Sequence, residues 1–260
     1  MKTRIISAII MILLFVPIVI IGGYPFLVLF AVLSLLGLKE LMNLEKNIPG
    51  ILKISAYIFT LFLILVNYST KMLNFSFNIE FFIVITLFYF CAVVINGDLK
   101  KYNYKDAIYL IICVLFIGIV FKGFIIVRNI GLYEIFYLFL ISSLTDTFAL
   151  FCGKYFGKNK LSVISPNKTI EGSIGGSLFG SVFSTLIYLA LTGFNSNVLV
   201  ILGITFILSI FGQIGDLFFS SIKRTYGIKD FSSLIPGHGG ILDRLDSVCF
   251  VLLGYIIILM

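Results

Sequence analysis

Charge is what this chain has least of. Of its 260 residues only 12% are Asp, Glu, Lys or Arg, while 60% are hydrophobic; a soluble domain ordinarily carries about 25% charge. No segment is long enough or polar enough to stand as a separate soluble domain. Tandem repeats, low-complexity tracts and flexible linkers are absent, as is the weak symmetry between halves that marks many transporters. The four cysteines, Cys91, Cys113, Cys152 and Cys249, stand singly within or beside apolar runs. Without C-x-x-C spacing or a histidine partner they read as buried, inert thiols. There is one histidine, His238.

What the chain does have is apolar runs near 20 residues, recurring along its whole length, as bilayer-spanning helices require. These predict an all-α polytopic membrane protein of about nine transmembrane helices, near 5–21, 25–43, 51–67, 79–96, 106–126, 132–151, 173–192, 197–219 and 241–259. Lys122 and Gly123 interrupt the end of the fifth. The opening, MKTRIISAIIMILLFVPIVIIGG, starts like a secretory signal. Its apolar run is too long for one and no A-x-A-like site follows, so it reads as a retained first span. A single integral-membrane domain over 1–260 is expected, with N-terminal spans in 1–78, middle spans in 79–131 and catalytic spans in 132–260.

Orientation follows from the basic residues, which favour cytoplasmic loops. With the N-terminus in the cytoplasm, that side receives Lys2, Arg4, Lys39, Lys46, Lys53, Lys100, Lys101, Lys105, Lys154, Lys158, Lys160, Lys168, Lys223, Arg224, Lys229 and Arg244. The opposite side receives only Lys71, Lys122 and Arg128 of the 19. The C-terminus is then extracytoplasmic. The net charge of +7 is accounted for by topology, and nucleic acid is not an expected partner.

The two richest loops, 152–172 and 220–240, share the cytoplasmic side. In QIGDLFFSSIKR, a helix continuing through Arg224 puts Asp216, Ser220 and Lys223 on one face. Asp243 and Asp246 share a face at the start of the ninth span, with Arg244 turned aside. Carboxylates there favour the positive end of the helix dipole, and acids on neighbouring helices with phosphate oxygens suit Mg²⁺. The turn Pro236-Gly237-His238-Gly239-Gly240 lets backbone N–H groups approach an anion at a helix start. In the other loop, Ser165 to Gly172 (SPNKTIEG) looks most ordered; Thr169 and Gly172 resemble a cap, and Glu171 is expected to pair with Lys168. Asp146, in an apolar span, needs a metal or a lysine. Acids for Mg²⁺, cations for phosphates and an apolar bundle for acyl chains describe phosphoryl or nucleotidyl transfer to a lipid.

The stretch 220–246 resembles the signature S-x-x-K-R-x4-K-D-x8-H-G-G-x2-D-R-x-D of the CDP-diacylglycerol synthase (phosphatidate cytidylyltransferase) family. Every fixed position is present: Ser220, Lys223, Arg224, Lys229, Asp230, His238, Gly239, Gly240, Asp243, Arg244 and Asp246. SPNKTIEG and the opening KTRIISAII are also similar to this family. The resemblance implies that CTP and phosphatidate become CDP-diacylglycerol and pyrophosphate with Mg²⁺, in a membrane-embedded homodimer. It implies Asp216, Asp243 and Asp246 as metal ligands, joined by Asp146, and Lys223, Arg224, Lys229 and His238 on phosphates. Lys168 and Ser165 of the second loop, with Ser220, Gly239, Gly240 and Arg244, complete the substrate site. No protein nucleophile is needed, because the lipid phosphate is already anionic.

Two positions depart from the family pattern. Phe219 stands where many bacterial members carry an acid, and Phe148 stands where small residues are common. Two other activities compete: a CTP-dependent polyprenol kinase, releasing CDP, and a transporter with Asp146 and Asp216 on an ion path. The bare extracytoplasmic side argues against the second.

Overall fold

The structure is a computed structural model that describes residues 2–45, 48–66, 79–194 and 197–259, the side chains of 2–5 excepted. Lys46, Lys71 and residue 67 of the third expected span lie outside the described residues. Among the described residues the fold is all-helical, with nine helices and no strands. These are α1 (Lys2–Ile21), α2 (Gly23–Met42), α3 (Gly50–Leu65), α4 (Ile79–Asn96), α5 (Tyr104–Ile130), α6 (Leu132–Phe156), α7 (Ile170–Thr192), α8 (Val198–Thr225) and α9 (Leu242–Leu259). Six of them, α2 and α4 to α8, are long and apolar enough to cross a membrane. The apolar helical stretches Ile6–Ile21 and Gly50–Leu65 are shorter, and α9 opens on Asp243, Arg244 and Asp246. Large apolar side chains such as Val94, Ile95 and Leu150 stand outward, where a bilayer rather than water would meet them.

Several helices outrun their apolar segments. Lys122 and Gly123 do not end α5, which continues to Ile130. On α6 the helix continues to Phe156 and on α8 to Thr225, carrying Lys154 and then Lys223 and Arg224 into their last turns. Cations there meet the negative end of the helix dipole.

The chain forms two compact units, 1–129 with 232–241, and 130–231 with 242–260. In the first, Phe30 of α2 lies fully buried against Phe26 (4.2 Å between ring centroids) and against Phe124 of α5 (5.1 Å). Arg128 donates from Nε to the Val19 carbonyl (2.5 Å) and from Nη2 to that of Ile20 (2.8 Å), serving the unpaired carbonyls at the end of α1. In the second unit α6 packs along α7, and α8 packs against α7 and α9. Small residues set the α6–α7 distance. Gly172, Gly176 and Gly180 recur every fourth residue on one face of α7. A Cβ on Gly176 would stand 2.8 Å from the Thr145 carbonyl oxygen, and one on Gly180 2.8 Å from Thr145 Cα. Helices in lipid lack a hydrophobic drive to associate and rely on such close backbone approach.

Candidate active site

The close α6–α7 seam brings Asp146 beside the loop that precedes α7. That loop is folded on itself: Leu161 N–H donates to the Lys168 carbonyl (2.8 Å), and Ile170 N–H to that of Asn159 (2.9 Å). Lys168 N–H donates to the Ser165 carbonyl (3.1 Å), so Ser165 shapes the turn that presents Lys168. Thr169 is the N-cap of α7, its hydroxyl accepting from Gly172 N–H (3.1 Å), as the sequence suggested. Glu171 does not pair with Lys168. Its carboxylate accepts from the backbone N–H of Lys158 (3.0 Å) and of Asn159, and from Asn159 Nδ2 (2.9 Å). The pairing of Lys160 with Thr169 folds the loop back so that these amides lie beside the first turn of α7.

Lys168 is thereby left to reach α8, where it forms an ion pair with Asp216. Ser220, one turn on, donates to the other Asp216 oxygen (3.4 Å). The expected shared face of α8 holds for these two. Lys223 instead turns to α9, pairing with Asp243 at 2.8 Å, both side chains nearly out of solvent. The second Asp243 oxygen accepts from Phe231 N–H (2.8 Å), and Lys223 also lies 5.4 Å from the Phe231 ring centre. One carboxylate therefore ties the end of α8, the segment after it and the start of α9 together.

Glycine again decides the approach of α8 to α9. A Cβ on Gly215 would be 2.8 Å from both the Asp246 carbonyl oxygen and Phe250 Cβ. Asp216 follows directly, and Asp246 feels the charges of Asp216, Asp146 and Lys223. Asp146 in turn feels those of Lys168 and Asp216. Asp246 is half-buried and accepts from Ser247 N–H (2.8 Å), while Arg244 is exposed on the other side of the helix. Arg224 and Lys229 are exposed.

A cavity of about 360 Å³ opens among α6, α7, α8 and the loop before α7, within the range of about 300–1,000 Å³ of small-ligand pockets. Asp146, Lys154, Asn167, Lys168, Ser173 and Asp216 reach it, with Ala149, Leu150 and Leu161 as apolar wall. Sequence reasoning missed Gln213, which also lines it. Its amide donates to the Ser173 carbonyl (3.1 Å) and the Ser177 hydroxyl (2.7 Å), and its oxygen accepts from the Ser173 hydroxyl. A glutamine in an apolar span three residues before Asp216 was the available signal.

Both departures from the family pattern are accommodated by aromatic packing. Phe219 is fully buried, edge-on to Phe231 (5.8 Å) and near Phe250 (6.3 Å). Phe148 stacks on Phe183 of α7 (5.0 Å, 14° between planes).

The remaining expected residues, His238, Gly239 and Gly240, belong to the first unit. Gly237 and Gly239 adopt φ of +77° and +86°, the left-handed region that glycine tolerates. The backbone N–H groups of His238 (2.9 Å) and Gly239 (3.1 Å) both donate to the Ile235 carbonyl, so they are engaged within the turn.

Hard carboxylate oxygens are suitable donors for Mg²⁺, and Asp146, Asp216 and Asp246 are electrostatic neighbours. Among the described residues, no three His, Cys, Asp or Glu side chains stand together as a ready metal cage. An ion held by these acids would need further oxygens from a ligand, the usual habit of Mg²⁺ at phosphates.

The model of the Cytidylyltransferase family matches residues 2–260. The chain belongs to that family. It is 40% identical over 257 residues to a phosphatidate cytidylyltransferase of Staphylococcus aureus, covering 97% of this chain and 96% of that one. The likeness to the enzyme of the same name from Staphylococcus haemolyticus is the same, and that from Staphylococcus epidermidis is 39% identical over equal spans. Membership was legible in the 220–246 stretch. As a cytidylyltransferase-family protein with several membrane-capable helices, the chain is a multi-pass membrane protein.

Proposed function

We propose that this protein is an integral-membrane phosphatidate cytidylyltransferase, making CDP-diacylglycerol and pyrophosphate from CTP and phosphatidate. The observation that carries the reading is the cavity in which Lys154 and Lys168 face Asp146 and Asp216, beside an apolar wall. Cations there can hold phosphates, and Leu150 and Leu161 offer an apolar edge for a lipid. The names of the full-length relatives supply the same substrates.

A phosphate oxygen of phosphatidate attacks the α-phosphorus of CTP, and the bond from that phosphorus to the β-phosphate oxygen breaks, releasing pyrophosphate. Lys168, and the exposed Lys154, Arg224 and Lys229, neutralise the crowded phosphates. Asp216 and Asp246 are the residues we assign to Mg²⁺, with Asp146 close by. Asp243, held by Lys223 and the Phe231 amide, orients the start of α9. When bound, the ion neutralises phosphate charge and orients the leaving group. The protein's part is positioning and charge neutralisation.

Nine membrane crossings, the N-terminus in the cytoplasm and the cavity facing the cytoplasm belong to the same reading, supported by 16 Lys and Arg against three. So does the homodimer that the family resemblance implies. The deciding experiment gives purified protein radiolabelled CTP, phosphatidate and Mg²⁺. CDP-diacylglycerol and pyrophosphate are expected. CDP released with a polyprenol acceptor, or no turnover, would overturn the reading.

A further inference from the structure

We propose that Glu40 and Ser7, both outside the 220–246 signature, are positioning residues that clamp the 232–241 segment for nucleotidyl transfer. The inference rests on the reaction assigned above. Glu40 lies at the end of α2 and is 4% exposed. Its Oε1 accepts from the Ser232 hydroxyl (2.7 Å) and from the Ile241 N–H (2.9 Å). These are the first and last residues of the segment that belongs to the first unit, so one carboxylate oxygen closes its neck.

Gly240 shows how close this grip is. A Cβ there would stand 2.7 Å from Glu40 Oε2 and 2.6 Å from Cδ. This explains why residue 240 is glycine, since its backbone is not in the left-handed region.

Ser7 of α1 grips the tip of the same segment. Its hydroxyl lies 3.0 Å from the Pro236 carbonyl, to which it donates, and 2.8 Å from His238 Nδ1. A serine hydroxyl has one hydrogen. With that hydrogen on Pro236, the ring must donate from Nδ1, which fixes the imidazole's orientation and leaves Nε2 for other work. Neck and tip are thus held from two helices, while the chain runs on directly into Leu242 and Asp243. A site that must meet a phosphate gains from such fixed geometry, and small misplacements can lower turnover on the order of 100-fold.

The test compares Glu40→Ala, Glu40→Gln and Ser7→Ala with the wild-type protein in detergent. Glutamine keeps an oxygen able to accept both hydrogen bonds; alanine does not. Glu40→Ala is expected to lower kcat on the order of 100-fold with the KM for CTP nearly unchanged, and Glu40→Gln to retain most activity. A readout independent of the reaction is maleimide labelling of Leu234→Cys, at a half-exposed position, in a background where the exposed Cys91 is serine. Labelling should quicken with Glu40→Ala and Ser7→Ala but not with Glu40→Gln. If Glu40→Ala fails to fold, Ser232→Ala removes one contact at the neck and Ser7→Ala the two at the tip, and they carry the same test. Unchanged turnover and labelling in the alanine variants, or Glu40→Gln as damaged as Glu40→Ala, would sink the proposal. A wild-type protein that makes no CDP-diacylglycerol fails the assigned reaction instead, and the labelling still decides the clamp.

Discussion

Two aspartates at the start of α9 hold different positions, and substitution should separate them. Asp243 is 7% exposed and paired with Lys223. Removing one partner of a buried pair leaves an uncompensated charge, worth about 3–5 kcal/mol. Lys223→Met should therefore lower the thermal midpoint in detergent sharply, and adding Asp243→Asn should restore much of it without restoring turnover. Among the described residues Asp246 makes no such pair, accepting from its neighbour's amide while facing Asp216 and Asp146 electrostatically. Asp246→Asn should abolish turnover and leave the melting curve in place. Activity recovered by raised Mg²⁺ would show that Asp246 only tunes affinity for the ion. At this scale the sequence was legible where charge stood out: Asp146 and Asp216 within apolar runs, Lys168 and Lys223 in the basic segments beside them. It was silent on Glu40 and Ser7, whose partners lie 192 to 231 residues away, and it assigned Glu171 to Lys168 because a neighbour in sequence is the obvious partner. Backbone amides leave no mark in composition.

The helices themselves were largely readable, because an apolar run of about 20 residues in lipid has few alternatives to a helix. Their ends were not. The apolar runs stop near 151 and 219, yet α6 and α8 continue to Phe156 and Thr225, since a helix can leave the bilayer and continue with basic residues at its dipole's negative end. Packing was also hidden: the glycines of α7 carry meaning only once α6 is seen against them. Their role is testable. Gly176→Ala places a methyl against the backbone of Thr145 and Ala149 and should destabilise by about 1–3 kcal/mol, as overpacking does, with loss of turnover because α6 carries Asp146. Gly203→Ala in α8 meets nothing within 4 Å and should be neutral or stabilising by up to about 1 kcal/mol. Thermal melts of the two variants in the same detergent make the comparison; equal midpoints would remove the seam from the account.

For the molecule as a whole, the remaining question is which way the helices run through the bilayer. At 25 residues and a rise of about 1.5 Å each, α6 is about 37 Å long, more than the roughly 30 Å of hydrocarbon it has to cross. Its two ends must then emerge on opposite sides, which makes it a suitable ruler. Asn129, just before α6, and Val163, in the loop after it, are both exposed, Val163 at 98%. With Cys91 replaced by serine, Asn129→Cys should react with a membrane-impermeant maleimide on intact cells. Val163→Cys should react only after permeabilisation. The reverse pattern would put Lys154, Lys168 and the cavity on the side away from CTP, and the assigned reaction could not then draw on the cytoplasmic nucleotide pool. The basic residues argue for the first outcome because each Lys or Arg moved to the wrong side opposes the orientation, and inversion would misplace 16 of them to correct three.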